Sequence, residues 1–226
     1  MAAAGHSPSP QSRRALEELC ASYWYPLYVF TRRRGHAADE AQDLVQGFFA
    51  YLLEKGTLAT ADEARGRFRT FLLAVYQRFL SHERERDRAR KRGGDRRIVS
   101  IDAADAEDRY RREPFHELTP ERIYERRYAL TLLDRVLARL ESDFVNRGRG
   151  ELFDRLKPTL TGGDATGYAD LAAGLGMSPG AVKVAVHRLR RQYRDALREE
   201  IAQTVDGPEE IDDELNRLLE ALRDDD

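Results

Sequence analysis

The sequence has few of the residues from which redox, metal and membrane functions are usually built. It contains one cysteine among 226 residues, and the lone Cys20 can form neither an intrachain disulfide nor a thiolate metal cage. No apolar run approaches the roughly 18 residues of a membrane span, and the first residues lack the apolar stretch of a signal peptide. We therefore expect a cytoplasmic protein without membrane insertion, metal ion or cofactor.

Charge is abundant, and it is segregated along the chain. The formal net charge is only −2, although 35% of the residues are charged. Residues 82–97 hold eight Lys or Arg against four acids, and residues 183–198 hold six against one. Residues 206–226 hold ten acids against two Arg. Basic clusters on helical patterns favour phosphate backbones as partners, whereas ordinary solvated helix faces are the alternative.

The apolar residues recur at spacings of three and four, which predicts an all-α fold of two small helical domains joined by a linker. Three helical patterns within residues 12–94 indicate the first domain, which a Gly-Gly pair closes. Thr119 and Pro120 are typical of a helix start, with Thr as N-cap and Pro at the first position, so residues 120–205 are predicted as the second domain. The other predictions are a disordered arm at 1–11, a linker at 95–119 and an acidic amphipathic tail at 206–226.

The second predicted domain ends in a pattern typical of a helix-turn-helix. Residues 168–176 form a short amphipathic pattern that ends in Gly, and a long helical pattern follows to about residue 205. Ser178 is the expected N-cap of this long helix, with Pro179 at its first position. Its cations point outward, as a recognition helix requires. Four apolar residues would fill the crossing of the two helices, namely Leu171, Leu175, Val182 and Val186.

Three segments resemble, in order, conserved regions of the extracytoplasmic-function group of bacterial sigma-70 factors. Residues 38–52 read ADEAQDLVQGFFAYL and are similar to region 2.2. Residues 68–92 read FRTFLLAVYQRFLSHERERDRARKR and are similar to regions 2.3–2.4. Residues 168–197 read YADLAAGLGMSPGAVKVAVHRLRRQYRDAL and are similar to region 4.2. The resemblance, which spans residues 12–202, implies a sigma region 2 bundle and a sigma region 4 helix-turn-helix in one transcription initiation subunit.

The resemblance implies that region 2 binds the β′ clamp helices of core RNA polymerase and melts the −10 promoter element, while region 4 rests on the β flap and reads the −35 element. An acidic helix face would meet a basic polymerase surface. The alternative is an ordinary solvated face whose acids lie in the first helical turn because the helix dipole favours them there. The residues of this face are Asp39, Glu40, Asp43 and Gln46.

The resemblance also implies three groups of residues that contact promoter DNA. The loop at 56–67 would capture an extruded −10 base, which needs stacking or hydrogen-bonding side chains, and an ordinary surface loop is the alternative. The candidate residues of this loop are Thr57, Thr60 and Arg65. The candidates for contact with duplex phosphates near the −10 element are Arg78, His82, Arg84, Arg86 and Arg88. The candidates for contact with the −35 element are Ser178, Lys183, His187, Arg188 and Arg191. Ala185 stands where the family often has Arg, which leaves the promoter sequence open.

Three other classes of function compete with this interpretation. An enzyme is disfavoured because the five histidines lack metal-ligand spacing and no catalytic arrangement of carboxylates is recognisable. A stand-alone helix-turn-helix regulator explains residues 168–197 but not the acidic helix or the basic helix of the first domain. A helical adaptor would bind no DNA at all. An anti-sigma factor or another regulator is a further partner to consider.

The acidic tail carries a helical apolar pattern of its own. We hypothesise that it docks on one of the chain's two basic domains and restrains DNA binding, because so short a helix needs a surface that buries its leucines. A solubilising tail and a contact with a regulator or polymerase are the alternatives. The apolar residues are Ile211, Leu215, Leu218, Leu219 and Leu222.

Overall fold

The structure is a computed structural model that describes residues 10–55, 68–89, 103–113, 118–160 and 167–223. Every regular element in these ranges is a helix, and no strand occurs among them. The predicted all-α fold class is therefore confirmed for this part of the chain.

Four helices form in the N-terminal part of the chain: α1 at Pro10–Arg33, α2 at Ala38–Lys55, α3 at Phe68–Ala89 and α4 at Ala103–Arg111. Gly35 turns the chain between α1 and α2, and its φ of 91° lies in the left-handed region that favours glycine. Helix α4 falls in the range predicted as a linker, where its short and mostly polar sequence gives little apolar periodicity.

Five α-helices follow. They are α5 at Pro120–Asn146, α6 at Gly150–Leu156, α7 at Tyr168–Leu175, α8 at Pro179–Ala202 and α9 at Ile211–Leu222, with short 3-10 turns at Lys157–Leu160 and Pro208–Glu210. The predicted start of α5 is present, because Thr119 Oγ1 accepts a hydrogen bond from the Arg122 backbone N–H at 3.3 Å. This contact supplies one of the partners that the first turn of a helix lacks.

The described residues divide into two compact units. The first contains the residues up to Ala129 together with those from Thr204 onward, and the second contains Leu130–Gln203. Helix α5 begins in the first unit and continues into the second, and α9 belongs to the first. The first boundary between the units thus lies within α5, after Ala129, rather than at 94 or 120, whereas the second lies within two residues of the predicted 205.

Aromatic side chains dominate the core of the first unit. Phe30, Phe48 and Tyr76 are buried, and the rings of Phe48 and Tyr76 lie 4.8 Å apart. The rings of Tyr23 and Tyr128 stack at 4.9 Å, which joins α1 to the start of α5. Rings of this size bury much apolar surface and also interact through their quadrupoles. The aromatic core thus holds α1, α2, α3 and the first turns of α5 together.

A polar cluster attaches α4 to α1. The Glu107 carboxylate accepts hydrogen bonds from the Tyr28 hydroxyl at 2.6 Å and from the Arg32 guanidinium at 3.0 and 3.1 Å. Burial alone would raise the pKa of Glu107, but the hydrogen bonds from Tyr28 and Arg32 lower it overall. The carboxylate is therefore ionised at neutral pH, and it fixes α4 to the aromatic core.

The second unit has an aliphatic core that positions α8. Phe153 and Leu156 of α6 are fully buried, and α6 packs against both α7 and α8. Val182, Val186 and Leu189 give α8 a continuous buried stripe at helical spacing. This stripe determines which residues of α8 lie on the opposite, exposed face.

Candidate nucleic-acid and protein interfaces

Helices α7 and α8 form a helix-turn-helix whose turn is closed by local hydrogen bonds. Gly176 caps α7 with a φ of 62°, and the Met177 backbone N–H donates to the Ala172 carbonyl at 3.0 Å. Ser178 is the N-cap of α8, as the sequence predicts, because its Oγ accepts from the Ala181 N–H at 3.2 Å. Leu171 and Val182 are buried. The turn and the crossing therefore fix the direction of α8.

The cations predicted to read DNA lie on the exposed side of α8. Lys183, His187 and Arg188 are exposed, and none has an ion pair with another described residue. Arg191 is exposed and lies 3.7 Å from the exposed Asp195, a pair that water screens strongly. Ser178 is exposed as well, although its hydroxyl serves the helix cap. The structure therefore brings all five predicted residues to the outer face or the N-terminus of one helix.

Sequence reasoning missed one residue of this face, Val184. Its side chain is 50% exposed, and it lies three, four and seven residues before His187, Arg188 and Arg191, so the four residues share one ridge. An exposed apolar side chain on such a ridge can contact a thymine methyl group. The available signal was the helical spacing itself, since Val182 and Val186 occupy the buried stripe and leave Val184 outside.

Not every arginine of α8 belongs to this ridge. Arg190 donates a hydrogen bond from Nη2 to the Thr159 carbonyl at 2.9 Å, so it ties α8 to the preceding 3-10 turn. On the C-terminal part of the helix, Glu199 accepts from Arg139 of α5 at 2.9 Å. Tyr193 is half-buried on this part of the helix, and its burial together with the nearby Asp134 raises its pKa to about 12. These contacts orient the ridge and do not themselves face a ligand.

The exposed end of α3 carries the cations predicted for the −10 region. Arg78, His82, Arg84 and Arg86 are exposed. Arg86 pairs with Glu83 at 2.9 Å and His82 approaches Glu85 at 3.8 Å. Within residues 82–86 the two acids balance the two arginines, so the basic excess of the 82–97 segment comes from residues further along the chain. The side chain of Arg88 lies outside the described residues, as do Thr57, Thr60 and Arg65.

The acidic face of α2 contains three of its four predicted members. Asp39, Glu40 and Asp43 are exposed, and Glu40 lies 2.8 Å from His36 Nδ1. Gln46 is only 6% exposed, so its predicted place on this face is wrong. The buried arc of α2 is wider than one stripe, because Phe49, three residues after Gln46, is also buried. The face is therefore purely acidic.

The described residues offer no site beyond these surfaces, and known proteins point to none. Neither a family model, nor a curated protein, nor a solved structure matches the chain. Among the described residues, no group of three or more His, Cys, Asp or Glu side chains could hold a metal ion. No helix in the same ranges combines the length and the apolar composition needed to cross a membrane. The candidate interfaces thus stand on α2, α3 and α8 alone.

Proposed function

We propose that the chain is a sigma-type subunit that directs bacterial RNA polymerase to particular promoters. The observation that carries the proposal is the ridge of α8, where Val184, His187, Arg188 and Arg191 are exposed on a helix with a capped turn and a buried opposite stripe. A helix presented in this way suits the major groove, where arginine bonds guanine edges and an apolar group contacts thymine. The ridge would read the −35 element.

The first unit supports the proposal through two further surfaces. Its exposed acids Asp39, Glu40 and Asp43 suit a basic protein surface, which we assign to the β′ clamp helices of core polymerase. The exposed end of α3 offers Arg78 and Arg84 to duplex phosphates near the −10 element. The loop at 56–67 remains the proposed capture site for an unstacked base. In this proposal the protein works in the cytoplasm, is not an enzyme, and can be restrained by an anti-sigma factor or another regulator.

Reconstituted transcription tests the proposal. Core polymerase with the wild-type chain should initiate at a subset of a genomic promoter library, whereas core polymerase alone should not. Asp43→Arg sets like charges together where Asp43 meets the basic surface, which costs up to several kcal/mol, and it should reduce core pull-down at least about tenfold.

The matched control is Asp143→Arg, which makes the same charge change at an exposed residue of α5 in the second unit. It should retain core binding, and both variants should keep the wild-type circular dichroism spectrum. Wild-type pull-down by Asp43→Arg would refute the polymerase assignment. Absence of promoter-selective initiation by the wild-type protein would refute the sigma function itself.

A stand-alone helix-turn-helix regulator is the second candidate. It is favoured by the observation that the second unit holds a complete helix-turn-helix with its own core and its own ion pair between Arg139 and Glu199. A regulator of this kind binds its site without polymerase, whereas the sigma-type subunit binds mainly as holoenzyme. Selection of duplexes by the free protein and by the holoenzyme, compared side by side, separates the two functions.

A further inference from the structure

A buried ion pair holds the C-terminal helix on the first unit. Arg69, in the first turn of α3, has a side chain that is 3% exposed, and the side chain of Glu214 in α9 is 1% exposed. Arg69 Nε lies 2.5 Å from Glu214 Oε1, and Nη2 lies 3.4 Å from Glu214 Oε2. The two carboxylate oxygens thus face two nitrogens of the guanidinium. A guanidinium can bind two oxygens of a phosphate in the same way.

Several other contacts surround this pair. Arg69 Nη1 donates to Glu125 at 3.0 Å, and the Tyr124 hydroxyl donates to the Arg69 carbonyl at 3.0 Å. The Phe68 N–H donates to the Thr204 carbonyl at 3.1 Å, where the chain re-enters the first unit. Burial alone would lower the pKa of Arg69, but Glu214 and Glu125 raise it overall. Arg69 is therefore charged in its buried position.

The stability that a buried ion pair gives to a helix contact does not by itself explain why Arg69 and Glu214 are charged. Removing both charges from water is costly, and an apolar pair of similar size often holds as well or better. What the guanidinium adds is affinity for any anion with two suitably spaced oxygens. Asp213 and Glu220 of α9 are exposed, whereas Glu214 is buried against Arg69. The bond between α3 and α9 is therefore one that a second anion can replace.

The position of Arg69 suggests which anion this is. Arg69 is the second residue after the predicted loop at 56–67, and it lies in the first turn of the helix that carries the exposed Arg78 and Arg84. We propose that Arg69 is a phosphate-binding residue for promoter DNA and that Glu214 occupies it in the free protein. Helix α9 is then an intramolecular competitor of the DNA backbone. This inference rests on the proposed DNA-binding function.

The test compares full-length variants in binding a fluorescent duplex with a central unpaired bubble. Glu214→Gln removes the competing charge but keeps the shape of the side chain, and Glu220→Gln makes the same change on the exposed face of α9. Glu214→Gln should bind more tightly than Glu220→Gln. Its plot of log affinity against log salt should keep about the slope of Glu220→Gln, because Arg69 contacts the phosphate in both complexes.

The double variant Arg69→Gln with Glu214→Gln identifies the phosphate contact. It should lose the gain in affinity, and its salt slope should be shallower by about 0.9, because one phosphate contact is missing. Equal binding by Glu214→Gln and Glu220→Gln would overturn the inference, and so would a gain that persists when Arg69 is replaced. Promoter-selective transcription is measured in a separate assay. Failure of the sigma function appears there, whereas failure of this inference appears as the absence of an Arg69-dependent gain in duplex binding, so the two failures are distinguishable.

Hydrogen exchange on the wild-type protein answers the same question if Glu214→Gln does not fold. Saturating amounts of the duplex should lower the protection of the amides in residues 211–222, because the helix leaves its site. Unchanged protection would overturn the inference. Loss of protection with core polymerase but not with the duplex would also overturn it, since the displacing partner would then be a protein.

Discussion

Two arginines of α8 that lie two residues apart should behave oppositely when each is replaced by alanine. Arg188 is exposed and has no ion pair with another described residue, so its loss should change the free energy of unfolding by no more than about 0.5 kcal/mol. Arg190 donates to the Thr159 carbonyl at 2.9 Å, so its loss should cost about 0.5–1.5 kcal/mol. Both substitutions remove one positive charge from the same helix, which makes each the control for the other.

The effects on DNA should be reversed. If Arg188 bonds a base edge, its loss should cost about 1–3 kcal/mol at one base pair, which is about 5- to 150-fold in affinity. If it contacts a phosphate, the loss should be similar for all sequences and the salt slope should fall by about 0.9. Arg190→Ala should leave the preference for each base pair unchanged.

The assay combines thermal unfolding of the free variants with transcription by their holoenzymes on a library in which the −35 element is randomised. The expected result is a stable Arg188→Ala variant with altered promoter selection and a destabilised Arg190→Ala variant with wild-type selection. If the two variants select the same promoters with the same strength, the ridge of α8 does not contact the −35 element, and the reasoning from exposure to recognition fails.

Two further predictions concern the first unit. Glu107→Gln should lower the free energy of unfolding by about 1–3 kcal/mol at pH 7, because an amide keeps only one of the two oxygens that accept from Tyr28 and Arg32. Asp108→Asn on the same helix should have little effect. Because the pKa of Glu107 is lowered in the folded state, the ionised carboxylate stabilises the fold fully above its ordinary pKa of about 4.5. This stabilisation is lost as the pH falls through the pKa of the folded state. Urea titrations in which the difference between wild type and Glu107→Gln stays constant down to pH 2 would contradict this. Phe48→Ala, at a fully buried ring in contact with Tyr76, should cost about 3–5 kcal/mol, and a cost below about 1 kcal/mol in the same titrations would mean that the aromatic core is not tightly packed.

Local signals in the sequence were sufficient for much of the fold. The starts of α2 and α8 follow from residues that act on their own neighbours. Gly35 turns the chain before α2, and Ser178 and Pro179 begin α8 through contacts within one helical turn. The exposed ridge of α8 was largely predictable for the same reason, because the buried stripe of Val182 and Val186 fixes the opposite face.

Contacts between distant parts of the chain were not predictable in this way. Arg69 resembles any other cation at the start of an amphipathic helix, and its partner Glu214 comes 145 residues later in the chain. The attachment of α4 depends on Tyr28 and Glu107, which are 79 residues apart. Periodicity describes one helix at a time, so it also could not detect that Gln46 lies within a broad buried arc of α2.

These distant contacts change what the basic segments can do. Counting charges along the chain treats every arginine as a possible DNA contact. Arg69, however, is buried against Glu214, Arg190 donates to the Thr159 carbonyl, and Arg86 is paired with Glu83. In the predicted set of α8, Lys183 and Arg188 have no ion pair with a described residue, and Arg191 has only the water-screened contact with Asp195. Sequence-independent attraction scales with the phosphates neutralised, so this part of the second unit supplies only a small share of it. Under the proposed function, the ridge is therefore better suited to selecting a promoter once polymerase has bound than to holding DNA by charge alone.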